Sequence, residues 1–131
     1  MVNPFKTGDS KVFTHTVEMA DIAASESGVV HQAYSTFCLT RDAEWSTRLF
    51  VLEMKEADEE GIGTFIEVIH RSPAKVGSTV NFYATLEAVN GHEIICSFIA
   101  KCGERIIAEG KTGQKILKKE KLNRIMAAIE N

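Results

Sequence analysis

Thr36, Glu44 and His70 supply a hydroxyl, a carboxylate and an imidazole within one stretch of chain. An imidazole with an unperturbed pKa of about 6.5 exchanges protons near neutrality. A carboxylate serves as base or orienter, and a hydroxyl either attacks or holds a water. Each also has a plainer reading on its own. Glu44 precedes Arg48 by one helical turn, the spacing of a surface ion pair. His70, with Pro73 close behind, suits a hydrogen-bonded histidine at a strand end, and Thr36 alone signals nothing. His15, His31 and His92 are scattered without metal-ligand spacing and read as exposed. Gly61-x-Gly63 lacks the third glycine of a dinucleotide fingerprint, and neither a Gly-x-Ser-x-Gly elbow nor a P-loop occurs. Lys118, Lys119 and Lys121 read as a solvated helix face rather than a phosphate site.

The elements that must position these groups belong to one domain spanning residues 1–131, since this length leaves no room for a second core. With 44% hydrophobic and 25% charged residues the composition is that of an ordinary globular chain. Lys and Arg number 15 against 18 acidic residues, so no basic footprint invites DNA or RNA. The three cysteines, Cys38, Cys96 and Cys102, form no Cys-x-x-Cys pair and read as reduced, mostly buried thiols. No apolar run is long enough to span a membrane, and the first residues lack a signal-peptide core, so the expected compartment is the cytoplasm. No metal or other cofactor is expected.

Periodicity predicts a strand over Ser78 to Val89, with Val80, Phe82, Ala84, Leu86 and Ala88 on one face. Asn90-Gly91 predicts a type I′ hairpin leading to a strand that puts Ile94, Cys96, Phe98 and Ala100 together. After a second tight turn at Gly103-Glu104, a third strand is expected to bury Ile106, Ala108 and Ile116. Gly61 to Ser72 predicts a fourth, with Ile62, Ile66, Val68 and His70 sharing a face, and Val12 to Val17 a weaker fifth. One long helix is expected from about Thr40, its N-cap, to Ala57, with Asp42 in its first turn. Its apolar residues fall on two sides, Ala43, Phe50, Val51 and Met54 on one and Trp45, Leu49 and Leu52 on the other, which predicts an enclosed helix. A short C-terminal helix closes the chain, its stripe of Leu122, Ile125, Met126 and Ile129 predicted to pack on something larger. The outline is an α+β hot-dog fold, a long antiparallel sheet wrapped around one central helix.

From Thr36 to Gly110 the chain resembles the thioesterases related to fluoroacetyl-CoA thioesterase. The shared marks are Thr36, Glu44-Trp45, Gly63, His70, a Pro-containing turn to Gly77, the Val-x-x-x-Ala-x-Leu-x-x-Val-x-Gly run from Val80 to Gly91, and Gly110. The resemblance implies a homodimer that hydrolyses a small acyl-CoA, with Thr36, Glu44 and His70 as the catalytic group and Gly63, Phe37 and Cys38 near the substrate. His70 would be the general acid and base, Glu44 a base or orienter, and Thr36 a nucleophile or a holder of water. Thr36 and Glu44 would stand about 12 Å apart along a shared helix, so Thr36 is expected in the loop ahead of it. Backbone amides from Thr36 to Leu39 would face the developing oxyanion. Gln114 stands where the family has an arginine and Val30 at an aromatic gate position, which points to a general short, medium or aryl acyl-CoA rather than fluoroacetyl-CoA. Two other classes share the outline: a hot-dog module that binds acyl-CoA without cleaving it, and an enoyl-CoA hydratase, whose local Asp and His motif is absent.

Overall fold

The computed structural model describes residues 1–25 and 28–130, with the backbone alone for 24, 25 and 28–31. Strand β1 (Ser10–Thr16), a 3-10 turn (Met19–Asp21) and a small hairpin of β2 (Ile22–Ser25) and β3 (Gly28–Tyr34) precede helix α1 (Thr36–Met54). Four long strands follow, β4 (Glu59–His70), β5 (Thr79–Asn90), β6 (Glu93–Cys102) and β7 (Arg105–Lys118), and then helix α2 (Lys119–Ala127). The main sheet is antiparallel throughout, in the order β1-β5-β6-β7-β4, and it curls around α1. The β2–β3 hairpin, which no periodicity announced, forms a separate two-stranded sheet.

Alternation sets the inner face as expected over most of its area. Val80, Phe82, Ala84, Leu86, Ile94, Cys96, Phe98 and Ala100 are all buried against α1. At three positions a bulge reverses the parity that simple alternation gives. Leu86 pairs with Cys96 but Ala88 with Ile95, so Glu87 is the extra residue, and Val89 rather than the expected Ala88 packs against the core. Ala100 pairs with Ala108 but Lys101 pairs with Ile106, so Ile107 is the extra residue. Ile107 is therefore buried while Ile106 faces outward, contrary to expectation. In β4 the register slips between Gly63 and Phe65. Gly61 and Gly63 lie against the helix side chains ahead of the slip, Ile66, Val68 and His70 turn inward after it, and Ile62 is left on the opposite face. At the Asn90-Gly91 hairpin, Asn90 pairs with Glu93 and Gly91 alone has a positive φ, 63°. A positive φ at only the first central residue is the type II′ pattern, not type I′.

The central helix begins earlier than Thr40. Ser35 is the N-cap, its hydroxyl accepting the Cys38 amide at 3.0 Å, and the helix closes at Met54 rather than Ala57. Thr36 thus lies in the first turn, and Asp42 lies further in and is buried. Leu39, Ala43, Phe50, Val51 and Met54 fill the core. The other apolar side is not enclosed within one chain: Trp45 is 43% and Leu52 39% exposed. Likewise α2 buries none of its residues, and Ile125, Met126 and Ile129 are exposed. No helix among the described residues is long and apolar enough to cross a membrane.

Candidate active site

The first turn of α1 abuts the far end of β4. Thr36 Oγ1 and His70 Nδ1 stand 2.9 Å apart, a hydrogen bond between a helix start and a strand end. They line a pocket of about 380 Å³ with Ala23, Ala33, Tyr34, Ser35, Arg71, Ser72 and Pro73. Ser35 takes the Cys38 amide on its hydroxyl and the Leu39 amide on its carbonyl. The amides of Thr36 and Phe37 find no acceptor among the described residues, so two free N–H groups stand beside the hydroxyl–imidazole pair. His70 Nε2 is buried and has no partner among those residues. An imidazole with one bonded and one unmatched nitrogen is an incompletely satisfied polar group, a condition that native interiors confine to few places.

Glu44 does not join this pair within one chain. Thr36 and Glu44 share α1, and the rise of the helix separates them by about 12 Å. The loop expected ahead of the helix, which would have brought Thr36 back to Glu44, does not exist, because Ser35 caps the helix one residue before Thr36. The Glu44 carboxylate lies over Gly63, where an added Cβ would come within 3.2 Å of Oε2. Its surface recess is shared with Arg41, Asp42, Trp45 and Arg48. The plain Glu44–Arg48 ion pair is not formed either: Arg48 donates to the Gly61 carbonyl at 2.9 Å and reaches Glu60 at 3.4 Å. Phe37 is 82% exposed and Cys38 is turned inward, and neither lines the Thr36–His70 pocket. The three thiols are free, and burial pushes that of Cys96 up to about 12.

Two of the residues that mark a departure from the family pattern have different fates. Gln114 is buried in mid-sheet, donating from Nε2 to Thr47 Oγ1 at 3.1 Å, while Thr112 donates to the same hydroxyl at 2.8 Å. The side chain of Val30 lies outside the described residues, as does that of His31.

A second polar cluster sits behind the pocket, and the sequence did not announce it. His15, expected to be exposed, is partly buried and donates from Nε2 to Asp21 at 2.7 Å. Arg41 donates to Asp21 at 3.0 Å and to both oxygens of Asp42 at 3.0 Å. Buried Tyr34 donates its hydroxyl to Asp42 in a short hydrogen bond. Burial pushes the Asp21 carboxyl up, but the Glu18 amide, His15 and Arg41 outweigh it and hold the group below its usual range. Burial, and then the neighbouring Asp42, raise the Tyr34 phenol. The cluster ties down the chain leading into α1, because the Asp21 carbonyl also accepts the Ser35 amide at 2.8 Å. The available signal was the set of charges at His15, Asp21, Arg41 and Asp42, and only the fold brings them together.

One helix held in a curled antiparallel sheet, with a polar pocket at its N-terminus, is the hot-dog fold, and solved structures with this arrangement include thioesterases. A Thermus thermophilus protein described as a thioesterase superfamily member is 29% identical, with a TM-score of 0.89 over 95% of this chain and 92% of its own. A hot-dog-like protein from Thermanaerovibrio acidaminovorans is 18% identical, with a TM-score of 0.85 over 97% and 95% of the two chains. A variant of the fluoroacetyl-CoA-specific thioesterase FlK, solved with fluoroacetate and CoA, is 22% identical, with a TM-score of 0.81 over 91% of this chain and 100% of its own. No curated protein sequence matches the chain. Residues 17–120 match the FlK family, described as fluoroacetyl-CoA-specific thioesterase, and the chain belongs to that family. It is an acyl-CoA thioesterase, a hydrolase of thioester bonds.

Proposed function

We propose that this thioesterase hydrolyses small acyl-CoA esters at a site made by two copies of the chain, with Thr36 and His70 from one and Glu44 from the other. The observation that carries this reading is the separation within α1. Thr36 is in contact with His70, whereas Glu44 lies two turns further along the helix over Gly63. An antiparallel pairing of β4 with itself supplies the missing carboxylate. β4 is an edge strand twelve residues long with one side unpaired among the described residues, and long edges are usually covered. With a two-fold axis near Ile66, His70 of one copy faces Gly63 of the other, bringing that copy's Glu44 alongside. The half-exposed Trp45 and Leu52 beside this edge suit the same contact.

In this site His70 takes a proton from a water, or from Thr36, as the oxygen adds to the thioester carbonyl carbon. The free amides of Thr36 and Phe37 hold the oxyanion. When the C–S bond breaks, His70 returns the proton to the departing CoA sulfur. Attack by Thr36 would leave an acyl ester that water then cleaves; direct attack by water gives acid and CoA in one addition. Glu44 of the second copy orients the imidazole or the water. Gln114 is committed to Thr47 inside the sheet, so no cation stands at that position, and a general short, medium or aryl acyl group suits the pocket better than fluoroacetate. The cytoplasm suits a chain whose three thiols are all free.

Free-thiol release from a panel of acyl-CoAs tests the reading. Mixing inactive Glu44→Gln chains with inactive His70→Ala chains sharpens it, because a mixed dimer rebuilds one intact site and recovers activity. Mixtures that stay inactive while exchanging subunits would falsify the shared site.

A further inference from the structure

A second pocket, of about 350 Å³, lies at the opposite end of β4 from the Thr36–His70 pair, walled by the start of β4, the end of β7 and α2. Its floor is apolar, made by Ile62, Leu117 and the half-exposed Ile125. Three lysines rim it, Lys115, Lys118 and Lys121. Lys118 holds Asp58 at 2.8 Å, whereas Lys115 and Lys121 have no acidic partner among the described residues. The one acid in the lining, Glu59, is already bonded to the Met1 ammonium at 2.7 Å. Lys118 and Lys121, read from the sequence as a solvated helix face, therefore stand around an apolar floor with positive charge to spare. A ligand suited to it has a flat apolar body and several negative charges.

We propose that this pocket holds the phosphorylated adenosine end of a CoA whose thioester lies at the Thr36–His70 pair of the other copy. The placement rests on the two-copy site proposed above. Within one chain the pocket is out of reach, because Ile62 lies eight residues from His70 along β4, about 25 Å. Across the seam it is close. With His70 of one copy opposite Gly63 of the other, the register sets Arg71 opposite Ile62, and opposed residues share a face of the joined sheet. Arg71 lines the first pocket and Ile62 the second, so the two cavities adjoin. Since β4 ends at His70, the other copy's residues 59–62 have no strand beside them there, and the arm of CoA passes around that strand end. Lys115 is the register partner of Ile62 and Lys118 that of Glu59. Two strand spacings across and one to four residues along put these lysines roughly 10–16 Å from His70. The pantetheine arm between the sulfur and the diphosphate is as long as four to five extended residues and spans about 15 Å. The diphosphate and 3′-phosphate then meet Lys115 and Lys121, with Arg71 of the first copy beside them, and the adenine lies on Ile62 and Ile125.

The test is KM for one acyl group carried either on CoA or on pantetheine, which lacks the nucleotide, in the full chain and in Lys115→Glu/Lys121→Glu. Both lysines are exposed, so the circular dichroism of the variant is expected to match that of the parent chain. The variant is expected to raise KM at least tenfold for the acyl-CoA and less than twofold for the acyl-pantetheine. Equal changes on the two carriers, or no change on either in an active chain, overturn the pocket alone. Mixed dimers then locate it. Carried on His70→Ala chains and mixed with Glu44→Gln chains, the two lysine substitutions raise the KM of the rebuilt site; carried on the Glu44→Gln chains, they do not. The reverse result overturns the placement across the seam. Mixtures that recover no activity without the lysine substitutions overturn it together with the two-copy site.

Discussion

Two polar clusters flank the start of α1, and they are finished to different degrees. Behind the helix, His15, Asp21, Arg41, Asp42 and Tyr34 satisfy one another within one partly buried knot, with both carboxylates accepting several donors. In front, Thr36 and His70 share one hydrogen bond, and among the described residues two helix amides and His70 Nε2 have no partner. A fully bonded network specifies a single geometry, whereas an unfinished one has capacity left for a substrate, a water or a second chain. The difference separates positioning from chemistry, and the finished cluster holds the segment that presents the unfinished one.

Breaking the front cluster should cost activity and leave the fold. His70→Ala is expected to lower kcat/KM for the best acyl-CoA by about 10²–10⁴ with little change in the urea midpoint, because it removes the proton carrier from an open pocket. Breaking the rear cluster should do the reverse first. Asp42→Ala leaves the buried Tyr34 hydroxyl without an acceptor and is expected to cost roughly 1–3 kcal/mol in urea unfolding, with activity falling only as the helix start loosens. Acid offers a gentler break. A carboxyl held below its usual value of 3.8 stabilises the fold fully above that pH and loses its contribution as pH falls through the lower folded value. Stability measured from about pH 6 down to about pH 3 should therefore fall less steeply in Asp21→Asn than in the parent chain. The smallest effect is expected at Gly63→Ala. The new Cβ meets only the Glu44 carboxylate, at 3.2 Å, so a shift of a few tenths of an ångström suffices and a several-fold loss of kcat is expected without a loss of stability.

Much of the frame was legible along the chain. Alternation from Val80 to Ala100 marked the inner face because a half-buried strand repeats every two residues. Three bulges escaped it, at Thr64, Glu87 and Ile107, because one inserted residue inverts every side chain beyond it and leaves no local mark. The helix start was misread by five residues. Ser35 and Thr40 are both acceptable caps by type, and Asp42 two residues after Thr40 suits a first-turn acid, so residue type alone favours the later start. The exposure of Trp45 and Leu52 contradicts the enclosed central helix, and that of Ile125, Met126 and Ile129 the expected packing of the C-terminal stripe, within one chain. A pattern reports that a face avoids water, not which molecule covers it.

The amino-acid order by itself determined the inventory: strands by twofold alternation, a helix with a core-facing side, a family signature, and the presence of a hydroxyl, a carboxylate and an imidazole. Those follow from neighbours a few residues apart, where backbone geometry fixes which side chains share a face. Only the tertiary structure decided that Thr36 meets His70, that Glu44 stands apart over Gly63, and that His15 joins Asp21 instead of facing water. Such meetings depend on how β1, β4 and the helix start are set against one another in space, and no periodicity within a single segment encodes a distance between two of them.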